Sequence, residues 1–439
     1  TRLGQTAMLR VLLLALSLVA CAAYDWSAAD KILKDSIASQ TAFPGCVALI
    51  ADKTGVLHSV AFGEFTYGLP PPHNQGTNPQ DRLDTRFDMA SCTKVTATTT
   101  AVAQFYQRGE LSLDLPVHEI LGREFGANGK DAMLLLNLLL HNSGFAPDPS
   151  PFWNTPEFGC PETLNYHPQQ TLSCIPQIWE SLVGQKLIYE VGSSYTYSDL
   201  NFITLAFVVG TLSVQHSYTS LADFKPECQN ATDKAELLCH FEAYVQKYVL
   251  DPVGMTSSGF LPAPEVAQFC SPTTNDTTYM HTTIQGVVSD GNTYAMGGIS
   301  GHAGLFSTVS DLHSLMSRIM WATANDTWMN STTASIFTTE YNHTQSSRAL
   351  GWNTNDHTVV DEGFDQSCGS LSPRTFMHDG YTGTMVCGDK DRELIAILLT
   401  ARVYPHDSAE SKTGIHSARL NWTTAVQVAY DQGKIASVL

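Results

Sequence analysis

Charge is scarce in this chain, and positive charge is scarcest. Charged residues make up 15% of the 439, with 24 Lys and Arg against 42 Asp and Glu, for a formal net charge of -18. A nucleic-acid partner is excluded on that ground, because its phosphates need Lys and Arg. Metal-ligand spacings are missing as well. No C-x-x-C pair and no H-E-x-x-H helix occurs, so no metal site and no cofactor is expected. A G-x-S-x-G elbow is absent too; Gly298-Ile-Ser-Gly-His302 fails at its last position. That disfavours an α/β-hydrolase. There are no internal repeats and no long disordered tract. The one long apolar run, Val11 to Ala20, is too short to span a bilayer comfortably.

That run has another reading. Met8 and Arg10 precede it, and small residues around Ala20, Cys21 and Ala22 follow it. A basic start, a short apolar stretch and an A-x-A-like end form a secretory signal. We expect a signal peptide over 1–23, a start at Met8, and no transmembrane segment after its removal. Leu18-Val-Ala-Cys21 also resembles a bacterial lipoprotein box. Six N-x-S/T sequons weigh against that, at Asn230, Asn275, Asn325, Asn330, Asn342 and Asn421. Together they suggest N-glycans and a eukaryotic secretory route. Nine cysteines remain after the signal. An oxidising compartment would pair eight and leave one free. Cys160–Cys174 and Cys228–Cys239 are plausible close bridges, and Cys92 is the expected unpaired thiol.

Hydrophobic residues at 43% allow a large core. Ser27-Ala-Ala-Asp30 reads as a helix cap, with Ile32, Leu33 and Ile37 as the buried stripe. Cys46 to Ile50 and Val56 to Phe62 flank the turn Asp52-Lys-Thr-Gly55 and predict a hairpin. Residues 110–285 read as helical patches and long loops. Strands return at Thr384 to Gly388 and Leu394 to Thr400, and a final helix is expected from Trp422 to Gln432. Strands at both chain ends predict an α+β fold. Its antiparallel sheet lobe (24–95 and 286–439) would be flanked by helices and would hold an inserted, mainly helical lobe (96–285). Residues 24–439 then form one catalytic domain.

Three short segments carry chemistry. Ser91-Cys-Thr-Lys94 is an S-x-x-K at the start of a predicted helix running to Tyr106. Residues three apart share a helix face. A serine hydroxyl needs an adjacent base, and a lysine kept neutral by desolvation can serve. Thr96, Thr98, Thr99 and Thr100 are poor helix formers, so tertiary packing must hold this helix. Cys92 is rotated roughly 100° away and reads as a buried thiol. Tyr197-Ser-Asp199 precedes an apolar helix from Leu200 to Val209. A tyrosine there can relay a proton if cations lower its pKa, and Asp199 could hold Lys94 or a substrate amide. His378-Asp-Gly380 precedes Tyr381 and a strand. His378 supplies a polar or cationic group, Gly380 allows close substrate approach, and the Tyr381 N–H would join the Ser91 N–H as oxyanion donors. His141 reads as a buried structural histidine. His302, between glycines, lines the site or supports a loop.

With these motifs the chain resembles the serine β-lactamase-like superfamily, which includes class C β-lactamases, D-alanyl-D-alanine carboxypeptidases, D-aminopeptidases and family VIII esterases. Tyr-x-Asp and His-x-Gly stand where related enzymes have S-D-N and K-T-G. Tyr106 to Val117, Leu139 to Phe145, Asp251 to Met255, Gly301 to Thr308 and Leu398 to Pro405 resemble further family segments, in the expected order. The resemblance implies a β-lactamase/transpeptidase-like fold and an acyl-enzyme on Ser91, with Lys94 and Tyr197 moving the proton. It implies a small ester or amide substrate. Asp199 in place of Asn and His378 in place of Lys shift the expectation from lactamase toward an esterase, with a D-amino-acid peptidase as the nearest rival. An acyltransferase and a non-catalytic binding protein on the same fold are the other readings.

Overall fold

A computed structural model describes residues 24–159, 171–358 and 367–438. The predicted hairpin forms from β1 (Gly45–Asp52) and β2 (Gly55–Gly63). Four strands from the far end of the chain complete an antiparallel sheet: β3 (Asn353–Thr354), β4 (Phe376–Asp379), β5 (Met385–Asp389) and β6 (Leu394–Thr400). Their order is β2-β1-β6-β5-β4-β3. Strand β1 is central and buried along its length. It pairs with β6 in a register that sets Cys46 against Thr400 and Asp52 against Leu394. Side chains alternate across a strand, and β1 obeys this. Val47, Leu49 and Ala51 join the larger core, while Cys46, Ala48 and Ile50 join a second core with Trp26, Leu33 and Trp422. Burial on both faces explains why β1 reads as a continuous apolar run rather than an alternating one.

Helices cover both faces. α1 (Ser27–Ala38) packs against the C-terminal helix Ala409–Val438 on one side, and Val309–Met320 packs on β1 and β6 from the other. Two expectations change here. Ser27 is not the side-chain cap of α1; the Asp25 carboxylate takes the Ser27 N–H at 3.0 Å. The last helix begins at Ala409, thirteen residues before Trp422, because Ser408 Oγ accepts the Ser411 N–H at 3.0 Å and starts it there. Its early turns are polar outside, which masked them in the sequence.

At the centre of the helical lobe lies Asp199–Gln215, apolar on nearly every side and buried from Leu200 to Gly210. A helix of that kind belongs inside a core. The Thr-rich stretch after Ser91 is helical, but Lys94–Thr99 winds with wide π-type turns before Thr100–Gln107 continues as α-helix. All of Lys94–Thr99 is buried, and Thr98 Oγ1 donates to Gly301 O at 2.7 Å. Tertiary packing therefore holds this helix, as the poor propensities required.

Cysteine pairing departs from the expected eight paired and one free. Cys228–Cys239 and Cys368–Cys387 are bridged, and Cys174 is disulfide-bonded; Cys160 lies outside the described residues. Cys46 and Cys270 join Cys92 as free, buried thiols, so among the described residues three are unpaired where one was expected. Cys92 lies in the larger core and Cys46 in the second. Of the sequon asparagines, Asn330 is partly buried and its side chain caps Ser331–Thr338 by accepting the Thr333 N–H at 2.9 Å. The other five are exposed. Among the described residues no helix is long and apolar enough to cross a membrane.

Candidate active site

The chain leaves the short strand Phe87–Asp88 through a tight turn and enters the buried helix with Ser91 at the join. Ala90 has φ +44°, a left-handed conformation that costs a non-glycine residue free energy. Buried Asp88 holds the turn. Its carboxylate accepts the Ala90 N–H at 2.9 Å and the Ser289 N–H at 2.8 Å. Burial still pushes that carboxyl up to about 6. From the other side, Thr382 Oγ1 donates to Asp88 O at 2.7 Å and Thr384 Oγ1 donates to Met89 O at 3.0 Å. The serine thus sits on backbone clamped by two other segments, at Ser289 and at Thr382–Thr384.

Lys94 is wholly buried, and its Nζ lies 2.8 Å from Ser91 Oγ, 2.7 Å from Asp199 Oδ1 and 3.3 Å from His302 O. Burial by itself would depress the lysine pKa. The Asp199 carboxylate and the Tyr197 phenol beside it outweigh burial, and the pKa stands above the ordinary lysine value. The resting group is an ammonium, which corrects the expectation of a neutral amine. Tyr197 differs in a similar way. Burial raises its phenol, and the cations Lys94 and Arg348 only partly offset that, so the hydroxyl keeps its proton. Its ring stacks on His141 at 4.5 Å between centroids and carries Lys94 Nζ at 4.8 Å and the Arg348 guanidinium at 5.1 Å.

His141 is the buried structural histidine expected. Nδ1 accepts the Ser198 N–H at 3.0 Å, so the ring both supports Tyr197 and fixes the chain after it. His302 does both of the things considered for it. It borders the cleft, and Nδ1 meets Ser300 Oγ at 2.8 Å while Nε2 meets Asp290 Oδ1 at 3.0 Å. Burial would raise Asp290, but His302 and the Thr293 donors hold it well below the usual carboxylate range. Asp199, Asp290 and His302 bring ligand-type atoms within 4.8 Å of one another. The Lys94 ammonium already supplies positive charge to Asp199, and Asp290 is held by His302 and the Thr293 N–H.

The third segment lies opposite. His378 is buried and neutral, not cationic: burial, then Arg348 and Lys94, pull it down to about 3. Nδ1 is 2.7 Å from Asp379 O. In the neutral ring Nδ1 then donates and Nε2 is left as an acceptor. The reason for Gly380 also changes. A Cβ there would lie 2.6 Å from Met89 O and would strike Thr384 Oγ1. Glycine makes room for the turn before Ser91 rather than for substrate. Gly380 N–H is spent on Thr384 O at 2.7 Å, and Cys92 N–H on Met89 O at 3.0 Å. The Ser91 and Tyr381 N–H groups donate to no other described residue. Cys92 turns into the core, with its Sγ 3.6 Å from His378 O and its thiol pushed up to about 12 by burial.

Ser91, Tyr197 and Tyr381 border two adjoining cavities. One, of about 480 Å³, is bounded by Arg348, His378 and Tyr195; the other, of about 500 Å³, by Asp148, Phe152, Asp199 and Asp290. Ser91, Lys94, Tyr197, Asp199, His378, Gly380 and Tyr381 therefore converge, as the motifs implied. Arg348, Asp148, Asp88 and Asp290 were not found from the sequence. Arg348, Asp148 and Asp290 are isolated charges outside regular elements, Asp88 closes a two-residue strand, and none has a spacing that marks it.

A serine with a lysine and tyrosine at hand, on an antiparallel sheet closed by both chain ends, defines a serine hydrolase of the β-lactamase-like type. The chain belongs to the Beta-lactamase family, whose model matches residues 29–419. It is 28% identical over 384 residues to the N-acetylmuramyl-L-alanine amidase of Bacillus subtilis (strain 168), covering 84% of this chain and 79% of that protein. Its fold is similar to that of D-alanine carboxypeptidase AmpC from Burkholderia cenocepacia, with a TM-score of 0.59, 16% identity, and 89% of this chain and 98% of that one covered. It is likewise similar to EstCE1, a hydrolase with promiscuous acyltransferase activity, with a TM-score of 0.60, 18% identity, and 90% and 99% covered.

Proposed function

We propose that this serine hydrolase is secreted and glycosylated, and that it cleaves small esters through an acyl-enzyme on Ser91. The carrying observation is the contact of Lys94 Nζ with Ser91 Oγ at 2.8 Å and with Asp199 at 2.7 Å. Ser91 Oγ attacks the carbonyl carbon, and the carbonyl π pair moves onto oxygen. The serine proton passes to Lys94 as Lys94 gives one to Asp199, so Lys94 remains an ammonium and Asp199 ends as the neutral acid. The Ser91 and Tyr381 N–H groups receive the oxyanion; such donors are worth about 3–4 kcal/mol each when aimed at the charge. On collapse the leaving oxygen takes a proton from Tyr197, which is replenished from Lys94 and then from Asp199. Water repeats the sequence in reverse and frees Ser91. Neutral His378 gives weak hold on a substrate carboxylate, which favours esters over β-lactams. Secretion and N-glycans rest on the signal-like N-terminus, the sequons and the disulfides.

A second reading, cleavage of a peptide that ends in a carboxylate, is favoured by Arg348 in the cavity beside Ser91. The experiment is incubation with p-nitrophenyl acetate, following p-nitrophenol release and intact mass. Turnover and an acetyl adduct are expected in the wild type, and both are absent in Ser91→Ala. Full turnover in Ser91→Ala refutes the mechanism. No turnover and no adduct in the wild type refutes the esterase reading and leaves the peptide.

A further inference from the structure

The two cavities that meet at Ser91 differ in charge. On one side stands Arg348 with the neutral His378. On the other stand Asp148, Asp199 and Asp290. Two of these carboxylates have partners, Asp199 with Lys94 at 2.7 Å and Asp290 with His302 at 3.0 Å. Asp148 is different: it makes no ion pair or hydrogen bond with any described residue, although it is partly buried and borders the cavity with Ser91. Phe152, four residues on, lines the same cavity and is exposed. A carboxylate and the face of an aromatic ring are the two groups that attract an ammonium ion.

We propose that Asp148, with Phe152, selects acyl groups that carry an ammonium next to the scissile carbonyl. The preferred substrates are then aminoacyl esters or amides with a free amine. The assignment to the acyl side follows from the opposite cavity, where Arg348 suits an anionic or neutral leaving group. The inference rests on Ser91 being the nucleophile of an esterase or amidase.

Unpaired and half-buried, Asp148 is pushed up to about 6, chiefly by burial and then by Asp199 and Asp290; His302 and Lys94 oppose the rise. It is therefore anionic at pH 7 and protonated at pH 5. An α-ammonium with a pKa of about 7.7–8.0 is still charged at pH 7.

The test compares phenyl esters of alanine, both enantiomers, with the phenyl ester of 2-methylpropanoic acid, reading phenol release at pH 7. The acyl groups differ by an ammonium in place of a methyl. The wild type should show kcat/KM at least about tenfold higher for one alanine ester, the equivalent of about 1.4 kcal/mol. That ratio should fall to within about twofold of unity in Asp148→Asn and recover in Asp148→Glu. In the wild type it should also shrink between pH 7 and pH 5. A wild-type ratio near unity at pH 7 overturns the proposal with no variant needed, and an unchanged ratio in Asp148→Asn overturns it as well. Turnover of the 2-methylpropanoic ester through Ser91 without amine preference sinks this inference alone. No acylation of Ser91 by any of the esters removes the esterase reading and this one together.

Discussion

The Asp199→Asn substitution keeps the shape of the side chain and removes its charge, and it tests who accepts the serine proton. Lys94 and Asp199 lie 2.7 Å apart, with the lysine side chain 0% and the aspartate 20% exposed. At an effective dielectric constant of about 20, two charges at that distance attract by roughly 6 kcal/mol. Water at the exposed edge of Asp199 screens part of this, and removing one partner of a buried pair costs about 3–5 kcal/mol. A cost of that size drives Lys94 toward its neutral form in the variant. Two mechanisms then diverge. If Asp199 takes the proton through Lys94, the Asn variant loses general-base catalysis, worth about 10²- to 10⁴-fold. We expect kcat for p-nitrophenyl acetate to fall at least about a hundredfold at pH 7, with urea melts and circular dichroism confirming a folded protein. If a neutral Lys94 is the base by itself, Asp199 restrains it, and the variant is as fast as the wild type or faster. That second result refutes the relay, and the retained ion pair would then need another reason.

Two further substitutions address the scaffold. Gly380→Ala places a methyl 2.6 Å from Met89 O, so the turn that presents Ser91 must shift. We expect a loss of about 1–3 kcal/mol in stability, typical of overpacking, and a fall in kcat larger than any change in KM; unaltered kinetics would show that the turn tolerates displacement. Asp81 is buried and its carboxyl is pushed up to about 8 by burial. The folded protein therefore keeps this proton while the unfolded chain loses it from about pH 4 upward. Its contribution to stability falls as pH rises from about 4 to 8. The urea midpoint of Asp81→Asn should exceed that of the wild type at pH 8, with the gap closing toward pH 4. A gap independent of pH would show that Asp81 titrates normally.

Much of the fold was legible locally. The β1–β2 hairpin follows from two β-rich runs around Asp52-Lys-Thr-Gly55, and the β5–β6 pair from a similar arrangement. The sheet closed by both chain ends followed from where strands and helices alternate. The final helix was read too short, since residues 409–421 carry a polar outer face that hides the period. The cysteine count misled because a count says nothing about reach: Cys46, Cys92 and Cys270 are each buried and free.

The site divides in the same way. Ser91 and Lys94 share a helix face at a spacing of three, so their contact was readable from the sequence. The tyrosine and histidine segments were recognisable as motifs because each is a short run with its own turn chemistry. The ionisation of Lys94, Tyr197 and His378 was not readable, since a pKa is set by neighbours from other segments. Asp199 lies more than a hundred positions from Lys94 and reverses the lysine's expected state. Arg348 bears on both Tyr197 and His378 from a loop with no motif of its own. The sequence alone therefore carried the hairpins of the sheet, through periodicities and spacings that act within a few residues, and the resemblance to the family with Ser91 as its proposed nucleophile, through short motifs in order. Only the tertiary structure decided the protonation states, the reason for Gly380 and the charges of the two cavities. Those depend on burial and on through-space distances between residues that the chain keeps far apart.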